Sequence, residues 1–232
     1  MRPSDLSEIQ TLALFKEMDE DKLATIVRAA YLQNFPVQVQ IANEGEDADF
    51  LFVVIEGSVE LFASANGREA TMAMVGPADS FILAAVINDS PYLMSARTTE
   101  KSRILMIPAQ DIRNAFEKDE AFARTIIVEL ANCYRTVIKD YKNLKLRTAV
   151  ERLANRLLEY HCEQGETGVI ELPHDKKRLA ALLGMTPENL SRAFSTLKPY
   201  GITVKGSCIM LSDMKGLTTL AKPNQLIDRH AK

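Results

Sequence analysis

Lys176-Lys177-Arg178-Leu179-Ala180-Ala181-Leu182-Leu183-Gly184-Met185-Thr186-Pro187-Glu188-Asn189-Leu190-Ser191-Arg192-Ala193-Phe194-Ser195-Thr196-Leu197 reads as two short helices joined by a tight turn. Leu179, Leu182 and Leu183 give the first helix an inner face, and Gly184 supplies the backbone freedom for the turn. Thr186 is placed to cap the second helix, with Pro187 at its first position, where a missing N–H costs nothing. Leu190, Phe194 and Leu197 then face inward, which leaves Glu188, Asn189, Ser191, Arg192 and Ser195 outward or flanking. Such side chains suit a reader of the DNA major groove. Arg192 can pair bidentately with guanine, Glu188 can accept from a cytosine or adenine amino group, and Ser191 can reach a base edge or a thymine methyl. The plainer reading of Glu188 and Arg192 is an i,i+4 surface ion pair, and the surrounding motif favours DNA. Lys176, Lys177, Arg178 and Lys198 are placed to neutralise phosphates.

The flanks extend this reading. Downstream, Tyr200 to Val204, the turn Lys205-Gly206-Ser207, and Cys208 to Leu211 form a two-stranded wing. Upstream, Thr148-Ala149-Val150-Glu151 is a capping box that opens a new helix running to about Cys162, and with it a domain over 148–232. Val169 to Leu172 reads as a short strand between that helix and the motif.

Before the box lies a long helix, from about Asp119 to Leu146. Within it Ile126, Leu130, Cys133, Val137, Tyr141 and Leu144 recur at steps of 4, 3, 4, 4 and 3, close to the heptad seam by which two helices pair. Residues 119–147 are therefore expected to form a dimerisation helix and hinge, with packing on the chain's own front domain as the plainer alternative.

Residues 35–107 hold short β-rich runs separated by turn residues: Val37 to Ile41, Leu51 to Ile55, Val59 to Phe62, Thr71 to Val75 and Arg103 to Ile107. Asn66-Gly67 between two of them is a strong hairpin signal. The spacing predicts an antiparallel barrel or sandwich, preceded over Asp5 to Ala30 by one or two amphipathic helices, so that 1–118 forms a sensor-like domain in an α+β protein.

The chain has 232 residues, 47% hydrophobic and 25% charged, which is ordinary for a globular protein. Charge is divided: residues 148–232 carry 12 Lys+Arg against 9 Asp+Glu, whereas residues 1–147 carry 16 against 22. The basic half is the better partner for a polyanion. There is no apolar run long enough to span a membrane and no leader-like apolar segment behind Met1, so a cytoplasmic location is expected. Cys133, Cys162 and Cys208 form no CxxC pair, which argues against a zinc ribbon or a disulfide framework. His161, Cys162, His174 and Cys208 have no known metal spacing. No GxSxG, HExxH or phosphate loop occurs, so no catalytic residues are assigned and an enzyme is not expected.

Over essentially its whole length the chain resembles the cyclic-AMP receptor protein and fumarate-nitrate regulator superfamily of bacterial transcription factors. Gly45, the run Phe52-Val53-Val54-Ile55-Glu56-Gly57-Ser58-Val59, Gly76 and Ser95-Ala96 fall where that family's β-roll has its turn glycines and core strands. Residues 119–146 match its dimer helix, and 176–197 with the wing match its winged helix-turn-helix. The Glu188-x-x-Ser191-Arg192 arrangement after Thr186-Pro187 is similar to the fumarate-nitrate regulator branch, including regulators of nitric oxide and denitrification genes. The resemblance implies a homodimer reading an inverted repeat of TTGA-like half-sites in double-stranded DNA and contacting RNA polymerase. The Lys198-Pro199-Tyr200 stretch departs from the family pattern before Gly201-Ile202. The alternative is a ligand- or redox-sensing protein whose wing domain contacts other proteins.

The resemblance also sharpens what the front domain lacks. Family members that bind cyclic AMP hold the ribose with a Glu and the phosphate with an Arg followed by Ser or Thr; aligning Ser95-Ala96 places Met94 at the Arg position and Ala84 at the Glu position. A phosphate buried without a cation is costly, so cyclic AMP is disfavoured as the effector, with Arg97 a cation nearby. The iron–sulfur branch needs N-terminal cysteines, and none precedes Cys133. Haem is the remaining gas-sensing option, although His161, His174 and His230 all lie outside the β-roll. Cys133 reads as a small apolar member of the helix seam before it reads as a redox switch.

Overall fold

The computed structural model describes residues 3–228 and 231, and divides into two compact units, 1–133 and 134–232. His230 lies outside the described residues. Among the described residues, no helix is long and apolar enough to cross a membrane.

The first unit opens with α1 (Pro3–Gln10) and α2 (Glu20–Ala29), the latter capped by Asp19, whose carboxylate accepts from the Asp21 amide. The strands follow: β1 (Tyr31–Phe35), β2 (Gln40–Ala42), β3 (Phe50–Glu56), β4 (Val59–Ala65), β5 (Arg68–Val75) and β6 (Ser80–Phe81). A short helix α3 (Leu83–Asn88) precedes β7 (Ser95–Thr98), β8 (Ser102–Pro108) and α4 (Ala109–Lys118). They build two antiparallel four-stranded sheets, ordered β1-β8-β3-β6 and β2-β7-β4-β5. Leu51 to Val54 are all buried, as expected of a strand covered on both faces. Along β4 and β7 the faces alternate: Val59, Leu61 and Ala96 enter the core, while Glu60, Phe62, Ser95 and Arg97 lie on the other side. The Asn66-Gly67 hairpin between β4 and β5 has both residues at positive φ, 52° and 70°, the twist that a two-residue turn between paired strands requires.

Two details of the first unit differ from the sequence reading. The strand expected over Val37 to Ile41 is broken, because Gln38 adopts φ 65° and separates β1 from β2; β-branched residues 37, 39 and 41 mimic an alternating strand through the turn. Helix α3, not anticipated, runs between Ile82 and Asp89, both left-handed, and lacks a side-chain N-cap that the sequence could have advertised.

Asp119 starts α5 (Glu120–Leu146), accepting from the amides of Ala121 and Phe122 and from Lys22 of α2 at 3.0 Å. These bonds hold its carboxyl below the ordinary carboxylate range, with Lys22 the largest contribution. Phe122 and Ile126 bury themselves in the first unit's core, where Phe122 stacks on Phe15.

In the second unit, α6 (Ala149–Glu163) begins with the expected capping box: the Thr148 hydroxyl accepts from the Glu151 amide, and the Glu151 carboxylate accepts from the Thr148 amide. β9 (Val169–Glu171), α7 (Lys176–Leu182), α8 (Pro187–Leu197), β10 (Ile202–Lys205), β11 (Cys208–Leu211) and α9 (Met214–Ala221) complete the unit. The wing is a three-stranded antiparallel sheet, β10-β11-β9, not a two-stranded one. Leu153, Leu157, Ile170, Leu179, Leu190, Leu197, Ile209 and Leu217 share its core. α9 was not anticipated; Asp213 caps it through the Gly216 amide. Lys198 to Tyr200 form a single 3-10 turn that leads from α8 into the wing.

Candidate nucleic-acid interface

α8 is fixed by its start and its buried side. The Thr186 hydroxyl accepts from the Asn189 amide, and Pro187 occupies the first turn. Leu190, Ala193, Phe194 and Leu197 are buried, so one face of the helix is spoken for. The opposite face presents Glu188, Asn189, Ser191, Arg192 and Ser195, all exposed. The Glu188 carboxyl is held below its ordinary range by hydrogen bonding to the Thr186 side chain and its own amide, with Arg192 adding to the effect, so it is an anionic acceptor at neutral pH. The Ser195 hydroxyl donates to the Ser191 carbonyl, which occupies its proton within the helix.

Around this face Lys176, Lys177 and Lys198 are exposed. Arg178 is engaged differently: Asp175 caps α7 by accepting from the Arg178 amide and also pairs with its guanidinium at 2.7 Å. The wing turn adds exposed Lys205.

The stripe on α5 is shifted from its expected place. Ile126 is fully buried in the first unit's core and Leu130 packs against that core, so neither belongs to an open seam. The exposed apolar side chains are Val137, Tyr141 and Leu144 of the expected set, joined by Ile127, Val128, Tyr134, Ile138 and Leu146. Cys133 is exposed rather than buried, and its thiol lies above the ordinary range through partial burial, with Glu129 and Asp79 adding to it.

The three effector-pocket positions have unequal surroundings. Ala84 is exposed on α3, Met94 packs on the β-roll core, and Ser95 is buried with its hydroxyl accepting from the Glu44 amide at 3.0 Å. Arg97, the nearby cation, is held on the outer side of its sheet. Its guanidinium bonds Glu60 at 2.8 Å and Glu69 at 2.6 Å and lies over the Phe62 ring at 4.2 Å. In the first unit a cleft of about 500 Å³ is lined by the acidic Glu46, Asp47 and Asp49 and by Phe50, Phe52 and Tyr92. His161 is buried at the end of α6, where its Nε2 accepts from the Gly168 amide at 3.2 Å. Among the described residues no group of three or more His, Cys, Asp or Glu gathers as a metal site.

Comparison with known proteins assigns both halves. Residues 32–119 match the cyclic nucleotide-binding domain family, and residues 151–220 match the Crp-like helix-turn-helix domain. The chain belongs to the cyclic-AMP receptor and fumarate-nitrate regulator superfamily. It is 24% identical over 215 residues to a CRP-like cAMP-activated global transcriptional regulator of Mycobacterium tuberculosis, covering 90% of this chain and 96% of the relative. It is 26% identical to the cyclic AMP receptor protein of Thermus thermophilus, over 79% of this chain and 82% of that one. The solved structure of FixK2 from Bradyrhizobium japonicum has the same fold, with a TM-score of 0.70 at 24% identity and coverage of 88% and 99%. The chain is thus a DNA-binding transcription regulator of this superfamily, and the relatives it matches nearly end to end are regulators and not enzymes. The sequence reading passed over Arg147, Arg152 and Asp228: Arg147 pairs with Asp228, 81 residues away, and Arg152 donates to the Leu183 carbonyl, 31 residues away, partners that spacing does not reveal.

Proposed function

We propose that the protein is a cytoplasmic homodimer whose paired α5 helices present two copies of α8 to an inverted repeat of TTGA-like half-sites, placed to contact RNA polymerase from the bound DNA. The observation that carries the reading is the two-sided α8: a fully buried inner face fixes the helix, and its outer face offers Glu188, Ser191 and Arg192 together. The exposed apolar run from Tyr134 to Leu144 supports pairing, since an open stripe of this length invites a partner helix.

The effector of this regulator is not held by a cyclic-phosphate clamp. Met94 and Ala84 bring no charge, the Ser95 hydroxyl and the Arg97 guanidinium are already bonded, and the cleft lined by Glu46, Asp47 and Asp49 has the wrong sign for a phosphate. A haem in the β-roll would need Cys, Met or Tyr ligation or a histidine from the other domain, since the roll holds no histidine and His161 Nε2 already accepts from the Gly168 amide. Competition binding with TTGA and TGTGA palindromes tests the reading. Preference for TTGA, unchanged by cyclic AMP, is expected; equal competition sinks the operator assignment. Tightening by cyclic AMP at micromolar concentration sinks the effector assignment, and a Soret band after haem addition makes haem the effector group.

A further inference from the structure

The chain continues past the matched helix-turn-helix domain, which ends at residue 220, and this tail folds back within the second unit onto the end of α5. α9 is anchored first: the buried Asn155 amide donates to the Ala221 carbonyl at 2.6 Å. Beyond it, residues 224–228 form a turn in which the Ile227 and Asp228 amides donate to the Asn224 carbonyl and the Asp228 carboxylate accepts from the Asn224 amide. Asp228 then takes both guanidinium nitrogens of Arg147, each at 2.6 Å, and both side chains are only 7% exposed. Lys142 Nζ donates to the Leu226 carbonyl, and Arg147 also donates to Asn143.

Arg147 is the single residue between α5 and the Thr148 cap of α6. A second arginine closes the same joint from the other side. Arg152 donates to the Arg147 carbonyl at 2.8 Å and to the Leu183 carbonyl, in the turn before α8, at 2.8 Å. Leu144 of α5 packs at Gly184 in that turn. A planar, bidentate, buried pair of this kind resists rotation, because two parallel bonds hold the guanidinium and the carboxylate in one plane.

We propose that Asp228 and the tail are a clasp, and Arg147 and Arg152 its positioning residues, which fix the angle at which α5 leaves the reading domain. This rests on the dimeric reading above. When two reading domains hang from paired helices, that angle sets the distance between the two α8 helices, and thus the half-site spacing accepted. None of the three residues needs to touch DNA.

The test uses the full chain and duplexes with two half-sites at the preferred spacing or displaced by one base pair in either direction. Wild type is expected to discriminate about tenfold between these spacings. Asp228→Asn, and separately removal of residues 224–232, should bring that ratio close to one while leaving the slope of affinity against salt unchanged, since no phosphate contact is lost. Arg147→Met combined with Asp228→Asn should be no worse than either alone. Retained discrimination in the truncated chain overturns the proposal. Loss of helical circular dichroism in Asp228→Asn shifts the judgement to the truncation, which leaves Arg147 to water; if that chain also fails to fold, the tail is a structural part and not a clasp. If wild type binds no duplex, the dimeric reading fails, and the clasp is judged by amide exchange at residues 147–152. There, exchange about tenfold faster on truncation supports it and unchanged exchange overturns it.

Discussion

Val137→Glu isolates the role of the α5 face. Val137 is 63% exposed, so the substitution leaves the folded protomer nearly untouched. Full burial of a valine side chain contributes roughly 1.5 kcal/mol. The exposed part of Val137 therefore supplies roughly 1 kcal/mol in each protomer, and about twice that in a symmetric pair. Two carboxylates brought together at the pairing surface without a cation cost about 2 kcal/mol more. The sum, about 4 kcal/mol, weakens dimerisation by about three powers of ten. Sedimentation equilibrium against the 25.9 kDa protomer mass gives the dissociation constant directly. Leu93→Glu is the control, because Leu93 is 81% exposed on the β-roll unit and off the α5 face. A Val137→Glu dissociation constant within tenfold of wild type, with circular dichroism unchanged, refutes pairing through this face, and so does a wild-type protein that is monomeric at every concentration.

Arg192→Ala should lower operator affinity by about 1–3 kcal/mol and relax preference at one base position, whereas Lys198→Gln should weaken all sequences alike and reduce the salt slope by about one; titrations at several salt concentrations separate the two. Asp119→Ala removes the cap of α5 and should cost about 1–2 kcal/mol at pH 7. Because Asp119 titrates lower in the folded chain than in the unfolded one, its contribution is present above the unfolded value and is lost as pH falls through the folded value, so urea midpoints of variant and wild type should converge below about pH 4. Gly57→Ala should destabilise the first unit by about 3 kcal/mol: Gly57 sits at φ 89°, and a Cβ would lie 2.6 Å from the Lys101 carbonyl oxygen and 2.7 Å from Ser102 Cα. A drop of less than about 3 °C in the melting temperature would contradict that geometry.

The DNA-reading motif was legible because local chemistry specifies it. Thr186, Pro187 and the Leu190, Phe194, Leu197 spacing fix start and face without help from distant residues. The Thr148 box and the Asn66-Gly67 turn were legible for the same reason. The α5 stripe was half legible. Its period announces a buried face but not what buries it, and Ile126 is covered by the chain's own core while Val137 is not. Arg97 shows a further limit: sequence places it beside the cassette, but only strand register brings it opposite Glu60 and commits it to two carboxylates. The pairing of Arg147 with Asp228, 81 residues apart, depends wholly on the fold.

α5 is one unbroken helix of 27 residues whose early turns are buried in one unit and whose last turns belong to the other. Along a helix, phase is counted as well as distance. Each residue inserted or deleted between Ile126 and Val137 rotates everything beyond it by about 100° and moves it about 1.5 Å along the axis. A single change would thus turn the exposed apolar face away from its bearing on the buried turns, and steps of seven or eleven restore that bearing to within about 20°. The loop at residues 164–168, which joins α6 to β9, carries no such constraint. Length variation in this chain should therefore be absorbed by loops and forbidden to α5, where the count of residues itself is the specification.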